Sequence, residues 1–391
     1  MVETPSNKTA PVLGKGALAT LAAACGITVG NVYLCQPLLD QIAVNMGVPE
    51  QTVGLVAVGA QVGYALGILF VLPLADAVAT RRLVRVLLIL TTLFLLVACL
   101  SPSTPVLIAA STVVPQVLIP VVSGLAAPEH RGRVIGTLQT VLILGILLSR
   151  TVSGGVAQAF DSWRSPYLLA AVLTAGLTFI VPRLMPAPQA RPAAVGYLNL
   201  LRSLPPLLRH RPLRLSMALG FLVFAAFSAF WATLAFHLAS PAFGLGPAAA
   251  GLFGLYGALG ALLAPTAGRL SDRIGSGRVN LSLVAVAVAF ALGGWLGACS
   301  LLALVLAVNL LDFGLQSGQI ANQTRIFALG GDIRARVNTL YMVATFGGGA
   351  AGSLAGTVAW GAGGWHGVCL LALLLVAAAG VVLMLQRRAQ A

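Results

Sequence analysis

The chain has 391 residues, of which 59% are apolar and only 8% are charged. A soluble domain carries about 25% charged residues, so most of this chain must have lipid rather than water as its solvent. The formal net charge of +14 does not indicate a nucleic-acid-binding protein, because the charges lie in short segments between apolar stretches and form no basic helix face. The composition predicts a multi-pass protein embedded in a lipid bilayer.

Twelve apolar stretches follow one another along the chain, each near the length of about 20 residues that a membrane-spanning helix needs. They lie at 17–39, 53–75, 83–101, 104–126, 134–158, 164–182, 213–238, 248–270, 279–298, 300–323, 336–360 and 364–386. An Arg- and Pro-rich segment separates the first six from the last six. We therefore expect five parts, which are a cytoplasmic N-terminus (1–16), an N-terminal six-helix bundle (17–182), a cytoplasmic linker (183–212), a C-terminal six-helix bundle (213–386) and a cytoplasmic tail (387–391).

The basic residues are distributed as this topology requires. All but two of the 23 Lys and Arg fall on one side of the predicted membrane, and the two exceptions are Arg150 and Arg164. Lys and Arg are enriched in cytoplasmic loops, so both termini and the linker are expected in the cytoplasm. An odd number of spans in either half would mix the two sides, which supports twelve spans.

A short charged loop occurs once in each predicted bundle, between its second and third apolar stretches. The first copy lies within 72–82 and the second within 268–278. The charged residues that we assign to a gate are Asp76, Arg81 and Arg82 in the first copy and Asp272, Arg273 and Arg278 in the second. The repeat indicates an internal duplication, and duplicated membrane bundles place a substrate site near the bilayer midplane, between the two halves.

The chemistry of this repeated loop fits a gate. A carboxylate at a cytoplasmic helix end pairs with arginine and also favours a neighbouring helix N-terminus, where the dipole attracts negative charge. We expect these six residues to hold the cytoplasmic side closed and to separate when it opens. The alternative is that the charges only fix the orientation of the chain, although the arginines alone would do that.

The second copy of the loop resembles the loop between the second and third helices of the major facilitator superfamily, which reads roughly Gly-x-Leu-x-Asp-Arg-x-Gly-Arg-Arg. The segments 31–39 and 322–338 resemble a bacterial branch allied to drug:proton antiporters. The resemblance implies an all-α membrane protein of two six-helix bundles that transports a solute by alternating access. It also implies a bacterial cytoplasmic (inner) membrane, no enzymatic activity and no cofactor. Nothing requires an oligomer, so we expect a monomer.

Arg150 is a charge deep inside the fifth predicted span. A guanidinium stays protonated, so within a membrane it must face water, a carboxylate or carbonyl groups. It is therefore a candidate anchor for an anionic group of the substrate, or a candidate partner for a proton-carrying acid. The alternative is an arginine whose long side chain reaches the outer surface.

Asp312 is the second deep charge, and it begins a polar helix face that continues with Gln316 and Gln319. A carboxylate in a low-dielectric environment is favoured in its protonated form, which suits an acid that carries a proton through a transporter. The alternative is a structural role, in which Asp312 is hydrogen-bonded to neighbouring helices. Other polar residues expected in the cavity are Asn31, Tyr33, Gln36, Gln61 and Gln139.

No set of His, Cys, Asp and Glu has metal-ligand spacing and no phosphate-binding Gly-Lys-Ser/Thr loop is present, so neither a metal site nor an ATPase is expected. The sequence best fits a secondary transporter that exports a small organic solute, coupled to protons. One alternative is an importer or facilitator of an anionic metabolite, with Arg150 as the anchor for the anion. The span 104–126 also lacks the arginine that proton antiporters of the family often carry there, which counts against export by antiport. An alternative of another class is a ligand sensor or lipid scramblase on the same fold.

Overall fold

Every regular element in the described part of the chain is a helix. The computed structural model describes residues 15–71, 73–74, 78–112, 131–185, 197–263, 277–331 and 333–388. The first half of the chain forms, within these limits, the helices α1 (Lys15–Tyr33), α2 (Leu39–Met46), α3 (Glu50–Leu66), α4 (Thr80–Cys99), α5 (Thr104–Thr112), α6 (Arg131–Ala159) and α7 (Arg164–Leu184). A π-helical turn, Gly67–Val71, extends α3.

A short connecting helix, α8 (Tyr197–Arg202), and a turn of 3-10 helix, Pro205–Arg209, precede the second half. The described helices of the second half are α9 (Arg211–Ala239), α10 (Pro247–Tyr256), α11 (Gly277–Trp295), α12 (Leu301–Phe327) and α13 (Arg334–Arg388). The long α13 is bent at Gly363 and Gly364, where the backbone leaves helical geometry. Gly364 has φ +57°, which glycine adopts without the steric penalty of a Cβ.

The helices account for twelve membrane spans. Eight stretches of the described residues are long and apolar enough to cross a bilayer. The number reaches twelve, as the sequence predicts, when three further contributions are added. These are two shorter apolar helices, the described part of α5, and the division of α13 into two spans at its bend. Large apolar side chains, such as Leu93, Val172 and Phe179, are more than half exposed along these helices, as expected where lipid replaces water.

The first span is longer than predicted and is interrupted. Helix α1 ends at Tyr33, one 3-10 turn covers Gln36–Leu38, and α2 continues to Met46 rather than stopping near residue 39. Pro37 has no N–H donor, so a regular helix cannot continue through it without losing a hydrogen bond. The interruption places Gln36, which is buried, at the bend.

The helix ends define two faces of the molecule. One face, called the basic face below, carries Arg81, Arg183, Arg211, Arg325 and Arg334 at or near helix ends. The other, called the opposite face, carries the α2–α3, α6–α7, α9–α10 and α11–α12 connections. This separation of charge agrees with a single orientation in a membrane.

Glycine recurs at every third position of the eighth span, Pro247–Leu263. The four positions are Gly251, Gly254, Gly257 and Gly260. A Cβ added at the first two would meet α6 near Arg150, and a Cβ added at the last two would meet Asp312 and Asn309 of α12. The eighth span therefore lies in direct backbone contact with both α6 and α12, which small residues make possible.

Candidate functional site

Arg150 lies in the middle of α6 and is 1% exposed. Its Nε donates a hydrogen bond to Oε1 of Gln36 at 2.7 Å. Its guanidinium carbon lies 3.7 Å from the ring centre of Trp231, 5.0 Å from that of Tyr33 and 5.8 Å from that of Phe227, all within the range of cation–π attraction. The side chain therefore points into the protein and does not reach the surface. Its Nη2 atom has no hydrogen-bond partner among the described residues.

Asp312 lies in the middle of α12 and is 5% exposed. Its carboxylate packs against Gly257, so closely that a Cβ on that residue would clash with Oδ2. Oδ2 has no hydrogen-bond partner in the described part of the chain. A buried carboxylate oxygen without a partner is costly, which makes Asp312 a candidate for binding a proton or a ligand.

A cavity of about 200 Å³ lies between the two halves of the chain, and both deep charges line it. The first half contributes Tyr33, Tyr64 and Arg150, and the second half contributes Phe224, Asp312, Gln316, Gln319 and Phe346. Arg150 and Asp312 are close enough to interact electrostatically, yet each keeps a polar atom without a hydrogen bond. The cavity is therefore a shared site with one positive and one negative group in its wall.

The wall of this cavity has an aromatic side and an amide side. The rings of Tyr64 and Phe346 lie 3.9 Å apart between centres, and Phe224 lies 5.2 Å from Phe346. Facing residues of α12, Gln316 and Gln319, present amides on successive turns. Such a wall suits a solute that has both an apolar body and polar groups.

The structure separates the polar residues that the sequence places in the cavity. Tyr33, Gln316 and Gln319 line it, and Gln36 lies behind Arg150 as its hydrogen-bond partner. Asn31 instead donates to Oγ1 of Thr174 at 3.3 Å and lines a separate apolar groove of about 370 Å³ between α1, α6 and α7.

One further predicted cavity residue, Gln61, does not join the lining, and another, Gln139, cannot be placed. Gln61 is 2% exposed and is absent from the residues that line the cavity, and its Oε1 has no partner within the described residues. Gln139 belongs to α6, but its side chain lies outside the described part. The observed cavity therefore has fewer of the predicted polar residues in its lining, and more aromatic residues, than the sequence predicts.

The predicted gate lies mostly outside the described residues. Asp76, Asp272 and Arg273 fall there, and so does the side chain of Arg278 in α11. Arg81 and Arg82 begin α4 on the basic face, where the first is half-buried and the second is exposed. The pairing of the charged loops therefore stays a prediction.

The two halves are joined on the opposite face. Trp360 of α13 donates from Nε1 to the carboxylate of Glu50 on α3. Gln158 of α6 accepts a hydrogen bond from the amide of Ala248 at 3.1 Å. Two turns deeper along α6, Thr151 donates to the carbonyl of Gly251 at 3.0 Å. These contacts close the cavity from that side, whereas its lining continues along α12 toward the basic face.

The aromatic residues that α9 places near Arg150 are the functional candidates that the sequence analysis missed. Phe224, Phe227 and Trp231 follow one another at spacings of three and four on α9, which places them on one helix face. That spacing is a readable signal, but aromatic residues within spans are more often packing or interface residues. Only the approach of α9 to α6 makes this face a wall around a cation.

Twelve spanning helices in two bundles around a shared central cavity define a multi-pass membrane transporter and confirm the predicted all-α fold class. The sequence profile of the Major Facilitator Superfamily matches residues 18–329. The chain belongs to the Major Facilitator Superfamily, and it is a transporter rather than an enzyme.

Known proteins similar to this chain agree with that assignment. The chain is 37% identical over 373 residues to the uncharacterized transporter YgaY of Escherichia coli O157:H7, which covers 94% of this chain and 93% of YgaY. Over 191 residues it is 30% identical to multidrug resistance protein D of Escherichia coli K12, covering 47% of each chain. The crystal structure of the nucleoside transporter NupG has the same fold, with a TM-score of 0.73 at 15% identity, over 94% of this chain and 96% of that one.

Proposed function

We propose that this transporter exports a small organic solute in exchange for protons, with Asp312 as the proton carrier. The observation that carries the proposal is the carboxylate itself, which is buried, lines the shared cavity and has an oxygen without a hydrogen bond in the described residues. Such a group binds and releases a proton as its surroundings alternate between a closed and a wet state.

Alternating access supplies the motion. The basic face is cytoplasmic by the positive-inside rule, so the contacts on the opposite face close the periplasmic side of a bacterial inner membrane. The cavity then belongs to a state that faces the cytoplasm. In the opposite state the bundles 17–182 and 213–386 rock about the cavity, while the linker 183–212 and both termini stay in the cytoplasm. A monomer is sufficient for this cycle.

The charged loops complete the cycle as the cytoplasmic gate. When the periplasmic side opens, the loops come together and close the other side. The residues assigned to this gate are Asp76, Arg81, Arg82, Asp272, Arg273 and Arg278. Their separation in the inward-facing state costs charge-assisted hydrogen bonds, which the contacts on the periplasmic side offset.

Export is favoured over import by the similarity of about half the chain to multidrug resistance protein D. The test uses everted inner-membrane vesicles that contain the protein, energised by respiration and offered a panel of labelled anionic, zwitterionic, neutral and cationic aromatic compounds. We expect accumulation of at least one compound, and we expect a protonophore to abolish it. Accumulation that ignores the protonophore would favour a facilitator, and uptake only in right-side-out vesicles would favour an importer.

The matched variants are Asp312→Asn and Asp161→Asn. Asp312→Asn keeps the shape but cannot carry a proton, so energised accumulation is lost while solute exchange without a gradient continues. Asp161 is an exposed residue with φ +47°, a conformation that asparagine tolerates well, so its variant should behave like the unmodified protein. If Asp312→Asn keeps full energised accumulation, Asp312 is not the proton carrier.

A further inference from the structure

We propose that the solute is a small zwitterion with an apolar side chain, of the size of a single amino acid, and that it bridges Arg150 and Asp312. This inference rests on the proposed function, because it assigns the ligand of the same cavity. It starts from two buried polar atoms, Nη2 of Arg150 and Oδ2 of Asp312, that have no hydrogen-bond partner in the part of the chain that the structure describes.

The guanidinium is prepared for an anionic group. Three aromatic faces and the neutral amide of Gln36 fix its position without neutralising its charge. A buried cation that has no hydrogen-bonded counterion is costly in general, and a carboxylate that pairs with the guanidinium lowers that cost. Aromatic rings cannot replace a carboxylate here, because they offer the cation no hydrogen-bond acceptor oxygen.

The carboxylate is prepared for a cationic group. Asp312 lies on the wall of the same cavity, and its free oxygen packs against Gly257 rather than against a donor. An ammonium group in the cavity brings three donors and a full positive charge, which neutralises the carboxylate. A purely anionic solute would be repelled by the carboxylate of Asp312, and a purely cationic solute would be repelled by the guanidinium of Arg150. A solute that carries both charges therefore fits best.

The remaining wall selects the body of the solute. Tyr64, Phe224 and Phe346 form the aromatic side of the cavity, which favours an apolar side chain. Pockets for drug-sized ligands measure about 300–1,000 Å³. The cavity of about 200 Å³ therefore suits a smaller molecule.

The same geometry links binding to the proton. An ammonium group and a proton compete for one oxygen pair on Asp312, so each displaces the other. Binding of the zwitterion to the protonated protein releases one proton from Asp312, and release of the zwitterion lets a proton return. That competition is the requirement for exchange, whereas a solute bound together with the proton would be cotransported.

The test measures binding to the purified full-length protein in detergent, and so does not depend on transport. The probes are L-phenylalanine, 3-phenylpropionate, which lacks the ammonium group, and 2-phenylethylamine, which lacks the carboxylate. We expect L-phenylalanine to bind at least about tenfold more tightly than either truncated probe, the range of one charged hydrogen bond. Calorimetry in buffers of different ionisation enthalpy should report one released proton.

Variants assign the two charges. Arg150→Gln should remove the advantage of L-phenylalanine over 2-phenylethylamine, and Asp312→Asn should remove its advantage over 3-phenylpropionate and its proton release. The control is Arg164→Gln, because Arg164 also lies over a tryptophan, 4.2 Å from the ring of Trp163, but is hydrogen-bonded to Asn45 and Ser101. It should leave binding unchanged. Should Arg150→Gln fail to fold, Arg150→Lys keeps the charge and should still discriminate among the probes.

Several results would overturn the inference. Equal binding of 3-phenylpropionate and L-phenylalanine would identify an anion site, and equal binding of 2-phenylethylamine would identify a cation site. Binding of none of the three probes would remove the assignment. The binding measurement needs no gradient, so the two proposals can fail separately. Zwitterion binding without protonophore-sensitive export would contradict only the proposed export. Export of another panel compound, without zwitterion binding, would contradict only the proposed solute.

Discussion

Gly257 lies directly against the carboxylate of Asp312, so that a Cβ on the glycine would clash with Oδ2. The backbone of Gly257 has φ −72° and ψ −10°, which any residue adopts, so its importance is steric rather than conformational. The absence of a side chain at residue 257 therefore fixes where the deep carboxylate rests.

Gly257→Ala is expected to displace Asp312 without removing it. Overpacking of this kind costs about 1–3 kcal/mol in the free energy of unfolding, and the moved carboxylate should lose proton coupling while solute exchange survives. Thermal unfolding in detergent and protonophore-sensitive accumulation measure the two effects. Gly176→Ala is the control, because a Cβ there meets nothing within 4 Å. Equal effects of the two substitutions would contradict a specific role for the contact with Asp312.

The ring of Trp231 is expected to stabilise the charge of Arg150. Its centre lies 3.7 Å from the guanidinium carbon, and a desolvated cation–π contact contributes about 2 kcal/mol. A double-mutant cycle with Trp231→Leu and Arg150→Gln isolates this pair from the general loss of packing. Denaturant unfolding should give a coupling free energy of about 1–2 kcal/mol. Strict additivity of the two substitutions would mean that the ring is only a packing group.

The hydrogen bond from Trp360 to Glu50 is expected to hold the opposite face closed. Trp360→Phe keeps an aromatic ring but removes the donor, and a hydrogen bond to a charged group contributes about 1.5–3 kcal/mol. The open state should therefore become roughly tenfold or more populated.

Two cysteines of the chain report this opening. Cys35 is buried in the cluster against which Trp360 packs, whereas Cys299 is exposed. Mass spectrometry after maleimide labelling should show faster modification of Cys35 in Trp360→Phe and the same rate at Cys299. No change at Cys35 would mean that this hydrogen bond does not control access from the opposite face.

The approach of α6 to α10 is expected to depend on Gly154 but not on its neighbour. A Cβ at Gly154 would meet the carbonyl of Pro247, whereas a Cβ at Gly155 meets nothing within 4 Å. Gly154→Ala should weaken the closed state and accelerate labelling of Cys35, and Gly155→Ala should not. If both variants label like the unmodified protein, the helices separate elsewhere.

The sequence predicts much of the fold and part of the site, for physical reasons that differ. The cost of a charge in lipid made Arg150 and Asp312 conspicuous, and helical spacing carried the prediction from Asp312 to Gln316 and Gln319. Those three α12 residues do line one cavity. The sequence contains the proline that interrupts the first span, Pro37, but the continuation of the span to Met46 depends on packing.

The sequence alone does not reveal which side chains contact one another. Asn31 and Gln36 belong to the same broken span, yet one bonds Thr174 within the first half and the other bonds Arg150 at the cavity. Trp231 reads as a packing residue until α9 is placed beside α6. Helix periodicity gives the face on which a residue lies, but not the helix that the face will meet.

The α6–α10 contacts on the opposite face use main-chain groups of α10. Thr151 and Gln158 of α6 bond the carbonyl of Gly251 and the amide of Ala248, which are main-chain groups. Side chains of α10 that point to lipid are therefore free to vary without loosening these contacts. A mutagenesis library aimed at new solutes should accordingly hold Thr151 and Gln158 constant and diversify the aromatic and amide walls instead.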